Sequence, residues 1–154
     1  LRKLDEGQYA AIILAAAGLK RLGLPERIKS YIEVDESLPA AGQGALGIEI
    51  LAERRDVFDI LQALNDTETQ ACITAERAVS LALGGSCQVP LAAYATLSDD
   101  LLQIDALVAT PDGKQVLRAQ TQGPAADAEQ LGLGVAEQLK AAGGAAIIAQ
   151  FLNV

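Results

Sequence analysis

Between Leu83 and Pro90 the chain changes its hydrophobic period, and this limits it to a helix followed by a sheet. Upstream, Cys72, Ala75, Val79 and Ala82 recur at helical spacing behind Thr67-Glu68-Thr69-Gln70, which has the Ser/Thr-x-x-Glu/Gln form of a capping box. Downstream, Leu91 to Leu97, Leu102 to Thr110 and Gln115 to Gln122 read as strands, with Leu102, Ile104, Ala106 and Val108 interleaved with Gln103 and Asp105. The joints are Ser98-Asp99-Asp100 and Pro111-Asp112-Gly113-Lys114, the second a strong turn signal because Gly113 tolerates φ > 0. A three-stranded antiparallel meander with one covered face is the expected result. Its cover is a helix that Asp127 can cap, with Ala128, Leu131, Val135 and Leu139 on one stripe and Gly143-Gly144 at its end. Ala145 to Leu152 reads as a last short helix.

The part before Asn65-Asp66 has a different grammar. Leu1 to Gly7 resembles the last turn of a helix closed by Gly7, and Ala10 to Ala15 is a continuous apolar run suited to a sheet covered on both faces. Ala16 to Gly23 is a short helical turn, Arg27 to Val34 holds a second strand, and Leu46 to Leu51 a third. Val57, Ile60, Leu61 and Leu64 share a helical face within Asp56 to Leu64. Leu38 to Gly44, rich in small residues, is a crossing or hinge defined by its backbone. The expected architecture is therefore an incomplete α/β part, then an α+β domain starting near residue 65.

Of the 154 residues, 51% are hydrophobic, enough for a buried core, and the longest apolar run, Tyr9 to Ala17, is far shorter than a membrane span. A net charge of −8 argues against a nucleic-acid partner, which needs a basic face. With no His, catalysis falls to carboxylates, Arg, Lys or a thiol, and the spacing of Cys72 and Cys87 suits neither a disulfide scaffold nor a metal site. Cys72 is expected in the core. The absence of Met and the start at Leu1 predict the C-terminal part of a larger protein.

Gly42-Gln43-Gly44-Ala45-Leu46-Gly47 matches the G-x-G-x-x-G pattern, but nothing helical opens from it, so it is not read as a dinucleotide site. Lys20-Arg21 ends a short helix, where a guanidinium either complements the helix dipole or holds a carboxylate through two parallel hydrogen bonds. Arg54-Arg55 and Glu76-Arg77 are expected to be solvated or structural ion-pairing groups. Cys87 sits in Gly84-Gly85-Ser86-Cys87-Gln88-Val89-Pro90, a bend whose free backbone N–H groups favour a thiolate. These residues alone leave two readings open: a reachable nucleophile, or an ordinary loop thiol on a non-catalytic ligand-binding or interaction module.

Five ordered segments narrow the choice: Leu4 to Gly7, Ala11 to Gly23, Leu38 to Glu49, Thr74 to Ala78 and Gly85 to Pro90. Together they closely resemble the porphobilinogen deaminase (hydroxymethylbilane synthase) family over about the C-terminal half of its length. One small departure is Ser86, where the family run usually has a second glycine. The resemblance implies two doubly wound domains like those of periplasmic binding proteins, and a third, small α+β domain with a three-stranded antiparallel sheet. Residues 1 to 44 would complete the second domain, 45 to 64 return to the first, and 65 to 154 form the third.

The resemblance also implies a transferase of haem and tetrapyrrole biosynthesis, joining four porphobilinogen molecules head to tail into hydroxymethylbilane with release of ammonia at each step. Cys87 matches the cysteine that carries the dipyrromethane cofactor through a thioether. Arg21 matches an arginine that binds pyrrole carboxylates, and Gln43 and Gly44 match positions lining the cofactor cleft. The family's catalytic aspartate belongs to its N-terminal portion, so no catalytic residue is expected here and the chain alone should be inactive. The implied partners are porphobilinogen, the growing polypyrrole and the N-terminal half of the same protein, with no membrane or nucleic acid. The whole protein is expected to be a cytoplasmic monomer.

Overall fold

Alternation along the middle strand builds the core. The computed structural model describes residues 1–84 and 89–152, apart from the side chains of 151 and 152, and has two compact units, Leu1–Ser37 and Leu38–Val154. The larger unit holds strands β1 (Leu91–Ser98), β2 (Leu101–Ala109) and β3 (Val116–Pro124), paired antiparallel in the order β1-β2-β3. Ala95 lies opposite Ile104, and Ile104 opposite Thr121. Leu102, Ile104, Ala106 and Val108 are 0% exposed, while Gln103 faces solvent. The two-residue period puts all four on one face, and each large apolar side chain buried there contributes roughly 1.5–3 kcal/mol.

Among the described residues the α-helices are α1 (Arg2–Asp5) and α2 (Ala16–Arg21) in the smaller unit, and α3 (Arg55–Leu61), α4 (Thr67–Ala82), α5 (Ala128–Ala141) and α6 (Gly144–Leu152) in the larger. Ala75 and Val79 of α4, Val135 and Leu139 of α5, and Ile147 and Ile148 of α6 join the strand residues in one cluster. This is the expected α+β arrangement. The two main helices meet at Gly132 of α5, where a Cβ would fall well inside contact distance of the Ala75 carbonyl oxygen and 2.8 Å from Ala78 Cβ. The stripe read from sequence omitted Gly132, because periodicity marks apolar bulk and not the places where bulk is forbidden.

Capping differs from expectation at both helices. Asp66, in an extended conformation, accepts a 2.7 Å hydrogen bond from Thr69 N–H, so Thr67 is already inside α4. That bond holds the Asp66 carboxyl below its usual range. Gln70, the far end of the supposed capping box, instead accepts from Asn65 Nδ2 at 2.7 Å. Asp127 stands at the N-cap of α5 but makes no side-chain cap bond, since a short 3-10 turn, Ala125–Asp127, leads into the helix. The Thr110 to Gln115 turn forms as expected, with Gly113 at φ +67°.

The smaller unit contains α1 and α2 and has no fully buried residue. Gly7 and Gly23, both at positive φ, end these helices, and Arg27 pairs with Asp5. The runs Ala10 to Ala15, Arg27 to Val34 and Leu46 to Leu51 form no strand, contrary to expectation. An apolar run becomes a strand only through ladder bonds to a neighbour, and these runs form no ladder among the described residues. The loop carrying Cys87 lies outside the described residues. No helix is long and apolar enough to cross a membrane, and no cluster of three or more His, Cys, Asp or Glu suits a metal, among the described residues.

Cys72 is half-buried at the edge of the cluster, not enclosed in it. Burial first, then the Glu76 and Glu68 carboxylates, raise its thiol pKa above the ordinary value. Fewer thiolates then exist at any given pH, so alkylation of Cys72, followed by peptide mass mapping, should accelerate at higher pH than for an unstructured cysteine peptide. Identical profiles would refute this. Gly132→Ala should cost about 1–3 kcal/mol through overpacking, measured by chemical denaturation; unchanged stability would show that α4 and α5 part freely.

Candidate functional site

The crossing Leu38–Gly44 is shaped by what its backbone is bonded to. Leu38 is buried at 9% exposure, and the Pro39 carbonyl accepts from Ala93 N–H of β1 at 3.1 Å. The chain then turns through Ala41 to Gly44, with Gly42 at φ +75°, a conformation that glycine adopts without strain. No helix opens from Gly42 to Gly47, the next being α3.

Beneath this turn lies Glu76 of α4, 4% exposed. One carboxylate oxygen accepts from Gly42 N–H at 2.7 Å and the other from Ala95 N–H of β1 at 2.8 Å. Sequence reading placed Glu76 with Arg77 as solvated or ion-pairing groups. The structure corrects this for Glu76, while Arg77 is exposed. A signal existed: Glu76 stands four residues after Cys72 and three before Val79, on the inward face of α4. Arg54 behaves as expected, holding Asp56 through two hydrogen bonds of 2.8 and 2.7 Å and lowering its carboxyl pKa.

Gln43 and Gly44 come together on an open pocket of about 560 Å³, whose wall also includes Asp66, Glu68, Cys72 and Glu76. Its charged residues are acids, with no Lys or Arg. Such a wall offers acceptors to N–H donors and repels carboxylates. Arg21 lies in the smaller unit, exposed on the last turn of α2, with no ion-pair partner among the described residues. Its neighbour Lys20 stacks over the Tyr31 ring at 5.1 Å. Cys87, the expected cofactor anchor, lies outside the described residues.

Comparison with known proteins adds identity to this geometry. Residues 1–59 match the family described as porphobilinogen deaminase, dipyromethane cofactor binding domain, and residues 70–141 match porphobilinogen deaminase, C-terminal domain. The chain is 59% identical over 152 residues to a porphobilinogen deaminase of Bordetella parapertussis, covering 99% of this chain and 48% of that protein. It is 60% identical over 149 residues to the Methylobacillus flagellatus protein of the same name (97% and 48% covered), and 56% identical over 153 residues to that of Neisseria meningitidis serogroup B (99% and 49%). It thus spans about half the length of these curated relatives. With matches over both parts of the chain and identities near 60%, the chain belongs to the porphobilinogen deaminase family.

Proposed function

We propose that this chain is the C-terminal portion of a hydroxymethylbilane synthase, which condenses four porphobilinogen molecules head to tail and releases ammonia at each step. The observation that carries the reading is identity near 60% along almost the whole chain to relatives named for that deaminase. Cys87 is the attachment point of a dipyrromethane, which when bound supplies a fixed primer and keeps the growing product on the protein. Gln43 and Gly44 present an amide and an uncluttered backbone at the cleft edge, suited to pyrrole N–H groups. The acidic pocket wall beside them does not suit the acetate and propionate groups. Those need guanidinium partners, and Arg21, exposed and unpaired among the described residues, is one.

In the whole protein, residues 1–44 complete one doubly wound domain like those of periplasmic binding proteins, 45–64 return to another, and 65–154 form the α+β domain. Exposed Ile13 and Leu14, and Leu46, Ile48, Leu51, Ile60 and Leu64, support this, since large apolar side chains left in solvent call for cover. The assembled enzyme is a cytoplasmic monomer, with no membrane or nucleic-acid partner. The 154 residues by themselves lack turnover, because the family's catalytic aspartate belongs to its N-terminal portion.

Mass spectrometry of the active full-length protein should find two linked pyrrole units on the peptide containing Cys87. An unmodified Cys87 in an active enzyme would sink the assignment. Arg21→Ala in the full-length enzyme should stall elongation and accumulate partly elongated protein-bound species. Wild-type turnover with no accumulation would remove Arg21 from the site.

A further inference from the structure

We propose that Glu76 is a positioning residue for this reaction: its carboxylate holds the Ala41–Gly44 turn in the place from which Gln43 and Gly44 meet the polypyrrole. The inference rests on the function proposed above and adds a residue that its sequence context marks only as a solvated or structural ion-pairing group. A carboxylate at 4% exposure is costly to bury unless its oxygens are hydrogen-bonded. Both oxygens of Glu76 are bonded, and both donors are backbone N–H groups: Gly42 at 2.7 Å and Ala95 at 2.8 Å. The side chain thus joins three elements, the turn, the edge strand β1 and the core helix α4.

What it restrains explains why it matters. Gly42 directly precedes Gln43 and Gly44, and the turn's other backbone bonds are local, from Gln43 N–H to Ala40 and from Ala45 N–H to Gly42. Upstream, the Pro39 carbonyl is tied to Ala93 N–H. Without Glu76 the turn keeps its own shape and the packing of Ala41 on the core, but its Gly42 N–H loses the hydrogen bond that fixes it to α4. Gln43 would then be free to shift relative to the pocket wall, and a shift of about 1 Å at a reacting centre costs on the order of a hundredfold in rate.

The test uses the full-length enzyme. Glu76→Ala removes both acceptors, Glu76→Gln keeps an acceptor for only one of the two donors, and Gly42→Ala strains the turn at positive φ in open space, without disturbing the core. With active enzyme quantified by its bound pyrrole, Glu76→Gln and Gly42→Ala should each lower kcat/KM per loaded enzyme by roughly ten- to a hundredfold. In Glu76→Ala the Gly42 amide should exchange at least about tenfold faster with deuterium; if that variant does not fold, the other two carry the kinetic test. A purely structural Glu76 would lower the unfolding temperature and leave kcat/KM per loaded enzyme at the wild-type value in both, which would overturn the proposal. An unchanged Gly42 exchange rate would overturn it too. If the wild-type protein consumes no porphobilinogen, the proposed function itself fails, and the exchange measurement still decides whether Glu76 holds the turn.

Discussion

A carboxylate shut away from solvent joins the parts of the larger unit that matter most. Glu76 takes the N–H of Ala95, an outward-facing donor of edge strand β1, and with its other oxygen takes the N–H of Gly42. An open sheet edge invites pairing with other chains. Here its donors at Ala93 and Ala95 go to the Pro39 carbonyl and to Glu76. The same bonds that protect the edge seat the Leu38–Gly44 crossing on the α+β domain, so one side chain couples sheet, helix and crossing.

That coupling needs a firm base, which the helices provide. The backbones of α4 and α5 approach closely at Gly132, and Val79, Val135 and Leu139 fill the space over the sheet at 0% exposure. Packing at this density transmits displacement with little slack. Residues 1–37 have no such base, with two short α-helices, a 3-10 turn and no fully buried side chain. The contrast follows from chemistry: alternating strands of a meander find partners a few residues away, whereas continuous apolar runs such as Ala10 to Ala15 suit parallel sheets whose neighbours are distant in sequence.

Legibility from sequence followed the same division. The meander, the turn at Gly113 and the covering helices were readable because they rest on local periodicity and turn chemistry. The apolar runs before residue 65 carried a strand signal without strand partners. The α4 cap was misassigned by one residue because Asp66 and Thr67 both offer a capping oxygen, and only backbone conformation chooses between them. Of the residues proposed for the site, Cys87, Arg21, Gln43 and Gly44 are legible through ordered motifs. Glu76 was overlooked because a charge beside an arginine reads as surface.

The sequence by itself determined the α+β core and family membership, since both are written in side-chain periodicity and in the order of residues along the chain. Only the tertiary structure decided that Glu76 lies inside, that Gly132 is a contact point, and that Gln43 and Gly44 share a pocket with acids. Each of these depends on which backbone groups meet across more than ten residues of separation. Hydrogen-bond donors of Gly42 and Ala95 leave no trace in residue identity, so the fate of the carboxylate they share becomes visible only when the chain is folded.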